Sequence, residues 1–490
     1  MKNKFYITTT LPYVNAEPHV GFALEIIQAD VIARYRAIQG DEVFFNTGTD
    51  EHGLKIYQKA LEEGKEPQKY CDEYAAKFDL LKTKLNLSYN NFIRTTDKHH
   101  IEACQEFWKR CEKNGDIYKK NYKAKYCVGC ELEKTDSELV DGKCPIHPNR
   151  EIEIIEEENY FFKFSKYQQP LLDFYDKNKD FVIPAHRQKE IYNFVKNGLQ
   201  DFSISRLKTK MPWGVPVPGD SEHIMYVWFD ALINYISCLG WPQNEKKFKE
   251  IWGTDKKPNA IQVAGKDNLR QQTAMWQAML LSAKLPTSKQ VFIHGFINLE
   301  GQKISKSLGI TLPNPIELVD KYGIDAVRYY LLRGIPSSED GDFSIERFEE
   351  LYNADLANGL GNLVARVLAL ATKLKIKSQK SKVNNKEVLN LIEKTKKNYA
   401  KLIEEFEFNQ ALELVWKLIS FCNTYIDKEK PWDNPEPKPI ITNLLYCISE
   451  IADLIAPFLP ETSEKIKEQL KESQTSWAGK SEILFPRLIN

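Results

Sequence analysis

Two stretches of the chain, residues 5–50 and 224–293, repeat one pattern: a short apolar run, then a helix-length segment with apolar residues at helical spacing. In the first, Phe5-Tyr6-Ile7 reads as a strand, Val20–Ile38 as a helix and Glu42–Asn46 as a second strand, with a helix expected from about Glu51. In the second, a strand at Ile224 and a helix through Tyr235 precede the strand Ala260–Ala264, the helix Asp267–Ala283 and the strand Val291–Ile293. Strand, helix and strand in that order select a parallel sheet with crossover helices. Between the two stretches, from about Tyr118, the chain turns to short polar β-like segments. After Asp342-Phe343 only amphipathic helices are expected, among them Glu346–Leu374, Val388–Glu404, Asn409–Ile426 and Ile440–Ile455. Pro431, Pro435, Pro437 and Pro439 separate the last two. The reading is an α/β domain split by an insertion and followed by an all-α domain.

The insertion holds a cysteine cluster. The nine cysteines are too sparse for a disulfide scaffold, but Cys127, Cys130 and Cys144 sit together. Cys127-Val-Gly-Cys130 and Cys144-Pro-Ile-His147 form a CxxC and a CxxH turn, thirteen residues apart. Each turn presents two soft or borderline ligands, and four of these suit tetrahedral Zn2+. Four protein ligands leave no open position, so the expected zinc is structural. The plainer alternative is a pair of unrelated turns in a reduced compartment. Lys2 and Lys4 precede too few apolar residues for a signal peptide, and no apolar stretch is long enough to span a bilayer. A cytoplasmic protein with no membrane partner is expected.

Two further segments carry chemistry. Gly301-Gln-Lys303-Ile-Ser305-Lys306-Ser-Leu-Gly309 follows an apolar strand. Its two lysines, set among small residues between glycines, make a cationic loop that can close over a polyphosphate. Taken alone, it would equally be a solvated lysine turn. Pro18-His19-Val20-Gly21 enters the first helix shortly after the first strand. The histidine can donate to a phosphate at the helix N-terminus, and the glycine lets a base or ribose approach the backbone.

Pro18-His19-Val20-Gly21-Phe22 resembles the HIGH motif of class I aminoacyl-tRNA synthetases, and Lys303-Ile-Ser305-Lys306-Ser307 resembles their KMSKS motif. Within that class the chain is similar to the methionyl-tRNA synthetase family over nearly its whole length. The supporting segments are Leu11–His19, Gly48–Gly53, Trp213–Val217, Tyr226–Ala231, Gly265-Lys-Asp267 and Asp340–Ser344. The resemblance implies a Rossmann-like parallel-sheet catalytic domain split by a zinc-binding insertion, with a helical-bundle domain that binds the anticodon. It implies boundaries at 1–116 and 223–296 for the two catalytic halves, 117–222 for the insertion, 297–345 for the connection carrying the lysine loop, and 346–490 for the helical domain.

The implied reaction joins L-methionine and ATP, with its Mg2+, into methionyl-adenylate, then transfers methionine to the 3′ end of tRNA(Met). By the same resemblance His19, Lys303 and Lys306 are the catalytic residues, and Ser305 joins them in holding the triphosphate. Gly21 would admit the adenine, Gly265 close approach, and Asp267 would accept from the ribose. Asp50 is the implied ammonium partner; it would also suit a helix N-cap before Glu51. The thioether is expected among Leu11, Tyr13, Trp228, Ala231, Tyr235, Gln272 and Trp276, since sulfur and aromatic rings attract; each of these aromatics would also serve as plain core. Asn362 and Arg366, four apart on one helix face, and Trp432 correspond to the segments that read the CAU anticodon. Trp432 also fits a packed residue at a proline turn.

Departures from the family pattern are Phe22, where HIGH has its second histidine, and Gln271-Gln272, where an aromatic–histidine pair is usual. The rivals are another class I synthetase, a small-molecule adenylyltransferase, and an inactive tRNA-binding paralogue. An editing synthetase needs a longer insertion, and an adenylyltransferase has no need of a long helical tail. The charges, 68 basic against 68 acidic, sum to zero, so attraction to a polyanion must be local. The lysines from Lys373 to Lys401 offer a local basic stretch with few opposing acids, although a solvated linker and helix face would look the same. A monomer is expected.

Overall fold

The computed structural model describes residues 2–488 except 130, 131, 135, 300–312, 377–382, 384 and 476–481. Six strands form one wholly parallel sheet: β1 (Lys4–Thr9), β2 (Glu42–Thr49), β3 (Asn91–Arg94), β4 (Val182–Ile183), β5 (Ala260–Gly265) and β6 (Gln290–His294). Their spatial order is β3-β2-β1-β5-β6-β4, with Ile7 beside Phe45 on one side and Ile261 on the other. The chain runs outward from β1 to β3 on one side and builds the other half later. The order therefore reverses between β1 and β5, where a crevice opens at the carboxyl ends of the strands.

The helix α1 (Val20–Ile38) forms over the expected residues because His19 caps its first turn, and it is buried along nearly its whole length beneath the sheet. The helix expected from Glu51 starts later, over Leu54–Glu62. Asp50 pairs instead with Tyr13, its N–H donating to Pro12 and its carbonyl accepting from Val14, while Gly53, at φ 118°, breaks the chain before the helix.

The strand at Ile224 is real but lies outside the main sheet, pairing antiparallel with Ser205–Leu207. It leads into α2 (Val227–Ala231), one short turn before Asn234–Ser237. The expected helix 267–283 is helical over residues 266–282, but within it Gln271–Met275 winds as a π-turn before Trp276–Ser282. Such bulges re-aim side chains, and this one carries Gln271-Gln272. Residues 117–222 contain a four-stranded antiparallel sheet whose long hairpin pairs Ile117 with Phe162 and Tyr126 with Glu153. They also supply β4 to the main sheet, a contribution too short to show in periodicity.

After Ile297–Leu299, which pairs with Gly341–Phe343, the helix α3 (Ile324–Arg333) runs beneath α1. The all-α region that follows includes α4 (Asn362–Lys373), α5 (Lys386–Glu404), α6 (Phe408–Glu429), α7 (Pro437–Ile455) and α8 (Pro460–Thr475). The segment Tyr352–Gly361 ahead of α4 is π-helical within the expected 346–374 helix. One hydrophobic core runs from α1 through α3 into this bundle, and a second fills the opposite face of the sheet.

Arg328 of α3 locks the halves together. Fully buried, it donates to Asp30 Oδ2 at 2.7 Å and to the carbonyls of Phe458, Pro457 and Leu85 at 2.7, 3.0 and 3.1 Å. Asp30 also accepts from Arg34 and Ser88. Burial would raise its carboxyl, but the two guanidiniums and the serine bring it below the usual range. Among the described residues no helix is long and apolar enough to cross a membrane.

Candidate functional site

A cleft of about 560 Å³ opens at the strand-order reversal. Its floor comes from the ends of four strands: Thr10 and Leu11 after β1, Asp50 after β2, Gly265 and Asp267 at β5, and His294 at β6. Crevices at this topological position bind ligands because crossover connections on opposite sides part there. His19, Gly21, Tyr13, Trp228, Ala231, Tyr235 and Gln272 also line it, so segments more than 250 residues apart in sequence meet as expected. Trp276 does not line the cleft; it is fully buried behind Tyr235, ring centroids 5.9 Å apart.

His19 has a defined role in the fold. Its Nδ1 accepts from the Gly21 N–H at 3.1 Å, capping α1. A neutral imidazole that accepts at Nδ1 carries its proton on Nε2, so the capping bond makes Nε2 a donor. Phe22, in place of a histidine, packs edge-on against Phe78 at 5.4 Å while still bordering the cleft.

The structure adds a second histidine–glycine step that the motif reading missed. His294 is buried at the end of β6, with Nε2 3.0 Å from Glu25 Oε2 and Nδ1 2.8 Å from the Gly295 carbonyl oxygen. Burial would lower its pKa, but Glu25, the Gly295 carbonyl and Asp267 more than offset this and move it upward. Asp267 moves upward, driven first by burial. Glu25 Oε1 accepts from the Thr10 N–H and hydroxyl at 2.7 and 2.6 Å, tying α1 to the end of β1. The signal was present: His294-Gly295 stands at the end of the apolar run Val291–Ile293. At Gly265 a Cβ would lie 2.8 Å from Asp267 Oδ1, so the glycine is needed for that carboxylate to fold back.

Behind the cleft, Asp230 on α2 is fully buried between two histidines. Its carboxylate lies 2.6 Å from His52 Nδ1 and 2.8 Å from His100 Nε2. Burial opposes its charge, yet the imidazoles hold it well below the usual carboxylate range. The same α2 carries Trp228 and Ala231, and His52 follows Asp50 by two residues. This network therefore fixes one wall of the cleft against another. Glu51 is held likewise, accepting from Arg94 at 2.6 and 2.9 Å and from Thr49 and Thr96.

Cys127 and Cys144 are buried, and their sulfurs and one His147 ring nitrogen lie within 4.8 Å of one another. Cys127 Sγ is 3.9 Å from His147 Nδ1. Gly129 is required there, because a Cβ would strike the His147 ring at 2.4 Å. Two thiols and an imidazole converging in this way fit zinc; Cys130 lies outside the described residues. Lys303, Ser305 and Lys306 also lie outside them. Lys55, not anticipated, donates to the Gly129 carbonyl at 2.6 Å and sits 5.9 Å over the Tyr13 ring, joining this knuckle to the cleft.

In the helical region Asn362 is exposed and Arg366 donates to Asp427 near the end of α6 at 2.9 Å. Trp432, 48% exposed, follows the left-handed Lys430 that ends α6. The lysine stretch is better matched by acids than its sequence suggests: Lys396 pairs with Glu450 at 2.7 Å across two helices, and Lys401 with Glu405 at 3.7 Å.

A family model described as tRNA synthetases class I (M) matches residues 5–153 and 146–368, and one described as the anticodon-binding domain of tRNA ligase matches residues 385–485. The methionine–tRNA ligase of Thermosynechococcus vestitus is 43% identical, covering 96% of this chain and 90% of its own length. That of Thermotoga maritima is 42% identical, covering 94% and 74%. The structure of Mycobacterium tuberculosis methionyl-tRNA synthetase in complex with methionyl-adenylate is similar with a TM-score of 0.90 and 34% identity, over 99% of this chain and 100% of that one. Its apo form has a TM-score of 0.83 and 31% identity, over 100% of this chain and 99% of that one.

Proposed function

The chain belongs to the methionine–tRNA ligase family of class I tRNA synthetases, and on that premise we propose how its cleft and its helical region divide the work. The protein activates L-methionine with ATP and transfers the methionyl group to the 3′ end of tRNA(Met). In the first step a methionine carboxylate oxygen bonds to the α-phosphorus of ATP and pyrophosphate leaves. In the second, a ribose hydroxyl of the tRNA attacks the activated carbonyl and AMP leaves. Neither step needs a protein nucleophile, so orientation and charge stabilisation carry the rate.

Asp50 is the ammonium partner, supported by its burial beside Tyr13 at the end of β2. Leu11, Tyr13, Trp228, Ala231, Tyr235 and Gln272 surround the side chain, with Trp276 backing Tyr235. Gly265 and Asp267 receive the ribose, and Gly21 the adenine. His19 donates from Nε2 to a phosphate, a role supported by the bond that occupies its Nδ1. Lys303, Ser305 and Lys306 hold the triphosphate, which enters with Mg2+ offsetting part of its charge. Cys127, Cys130, Cys144 and His147 hold a structural zinc within the insertion 117–222. The segments 1–116 and 223–296 form the catalytic domain, 297–345 the connection, and 346–490 the domain whose Asn362, Arg366 and Trp432 read the anticodon. The protein works as a cytoplasmic monomer.

The observation that carries this reading is the convergence of the His19 turn, Asp50, Gly265-Lys-Asp267 and the aromatic wall on one cleft at the strand-order reversal. The test is ATP–pyrophosphate exchange with each of the twenty amino acids. Exchange with methionine alone is expected. Exchange with another amino acid, or none from folded protein, overturns the reading.

A further inference from the structure

Gln272, where the family pattern has a histidine, ends a buried chain of hydrogen bonds whose direction is set by the backbone. The Ser288 N–H donates to Gln277 Oε1 at 3.0 Å, and Gln277 Nε2 donates to the Gln272 carbonyl at 2.8 Å. A main-chain N–H can only donate and a carbonyl can only accept, so the Gln277 amide has one orientation. Its Nε2 also donates to Ser288 Oγ at 3.1 Å. That hydroxyl in turn donates to Gln262 Oε1, 2.5 Å away. Gln262 is thereby turned, and its Nε2 donates to Gln272 Oε1 at 3.0 Å. Gln262, Gln272, Gln277 and Ser288 are each at most 2% exposed, so water does not compete for these bonds.

With Oε1 of Gln272 occupied from behind, what it has left for the cleft is its NH2 end. Tyr235, its neighbour in the cleft wall, has its phenol raised by burial and by Glu25, and the amides of Gln272, Asn234 and Gln262 offset part of the rise. We propose that Gln277, Ser288 and Gln262 are positioning residues that hold Gln272 with its amide N–H toward the substrate side chain, so that the cleft selects a side chain bearing a hydrogen-bond acceptor over an isosteric hydrocarbon. The inference rests on the methionine–tRNA ligase reading, in which that acceptor is the thioether sulfur. Sulfur is a weak acceptor, so the selection is modest, about tenfold, and arises mostly because an N–H facing a methylene is buried without a partner.

The test compares methionine with norleucine, which has a methylene in place of the sulfur, in ATP–pyrophosphate exchange. Gln262→Met keeps the length of the side chain and removes its N–H. It is expected to lower the norleucine-to-methionine KM ratio about tenfold. Ser288→Ala, a smaller change remote from the cleft lining, should shift the ratio in the same direction, and Ser288→Thr should restore it. An equal rise for both amino acids, as a general packing defect would give, overturns the relay, and so does an unchanged ratio in Gln262→Met and Ser288→Ala. If the unaltered protein exchanges with neither amino acid, the ligase reading itself falls. If it prefers methionine and the variants keep that preference, only the relay falls.

Discussion

The cleft and the helical region solve recognition in opposite ways. Around the cleft, charged and polar groups are buried and held by one another: Asp230 between His52 and His100, Glu25 between Thr10 and His294, Glu51 among Arg94 and three threonines. At the far end of the chain the candidate residues stand on the surface, Trp432 half-exposed and Arg366 engaged with Asp427. A site that fixes a small substrate for chemistry must be ordered beforehand, because orientation is its main contribution. A surface that reads unpaired bases leaves aromatic faces open for stacking, and takes its order from the partner.

Damage to the buried networks should therefore cost far more than damage to the open surface. The largest effect is expected from Asp30→Ala, which strands Arg328 without its carboxylate at the junction of α1, α3 and the bundle. A loss of about 3–5 kcal/mol in unfolding free energy is predicted, read by denaturant titration. A loss below 1 kcal/mol would show that the junction is not held by charge. The same networks set the acid limit. Asp30 and Asp230 have folded pKa values below their unfolded ones, so their contribution is present above about pH 4 and lost as pH falls through the folded values. Thermal melts should accordingly show Tm falling as the pH drops below about 4; a Tm unchanged between about pH 4 and about pH 2 would contradict the assignment.

Lys306→Ala comes next. It should slow adenylate formation by about 10²–10³-fold while methionine affinity, measured by calorimetry, stays close to the unaltered protein. If methionine binding collapsed instead, the lysine loop would not belong to the triphosphate. Trp432→Ala should have the smallest effect, raising the KM for tRNA about tenfold with exchange unchanged. A parallel fall in exchange would dissolve the contrast between the two regions.

The helix Val20–Ile38 was legible to the residue because apolar positions at helical spacing marked it. β2 was read too short: Thr47, Gly48 and Thr49 carry no apolar signal, yet lie in a central strand whose end faces the cleft. β3 and the two-residue β4 escaped altogether, since nothing local distinguishes a short edge strand from a loop. The same holds for function. Motifs singled out His19, Asp50 and Gly265-Lys-Asp267, which the fold brings to one cleft, because their signal is concentrated in a few adjacent residues. His52, His100 and Asp230 come from three distant segments with no shared spacing, and only the folded chain brings them together. The polarity of Gln272 was illegible for a deeper reason: it rests on backbone groups of Ser288 and Gln272 acting through the side chains of Gln277, Ser288 and Gln262.

The division of labour between the two regions can be measured most directly by charging tRNA with the CAU anticodon, and the same tRNA with one anticodon base changed, beside pyrophosphate exchange on one preparation. The predicted result is methionine-dependent exchange that ignores the tRNA and methionylation that falls at least about tenfold when the base is changed. Methionylation indifferent to the anticodon, or exchange that requires it, would contradict the account.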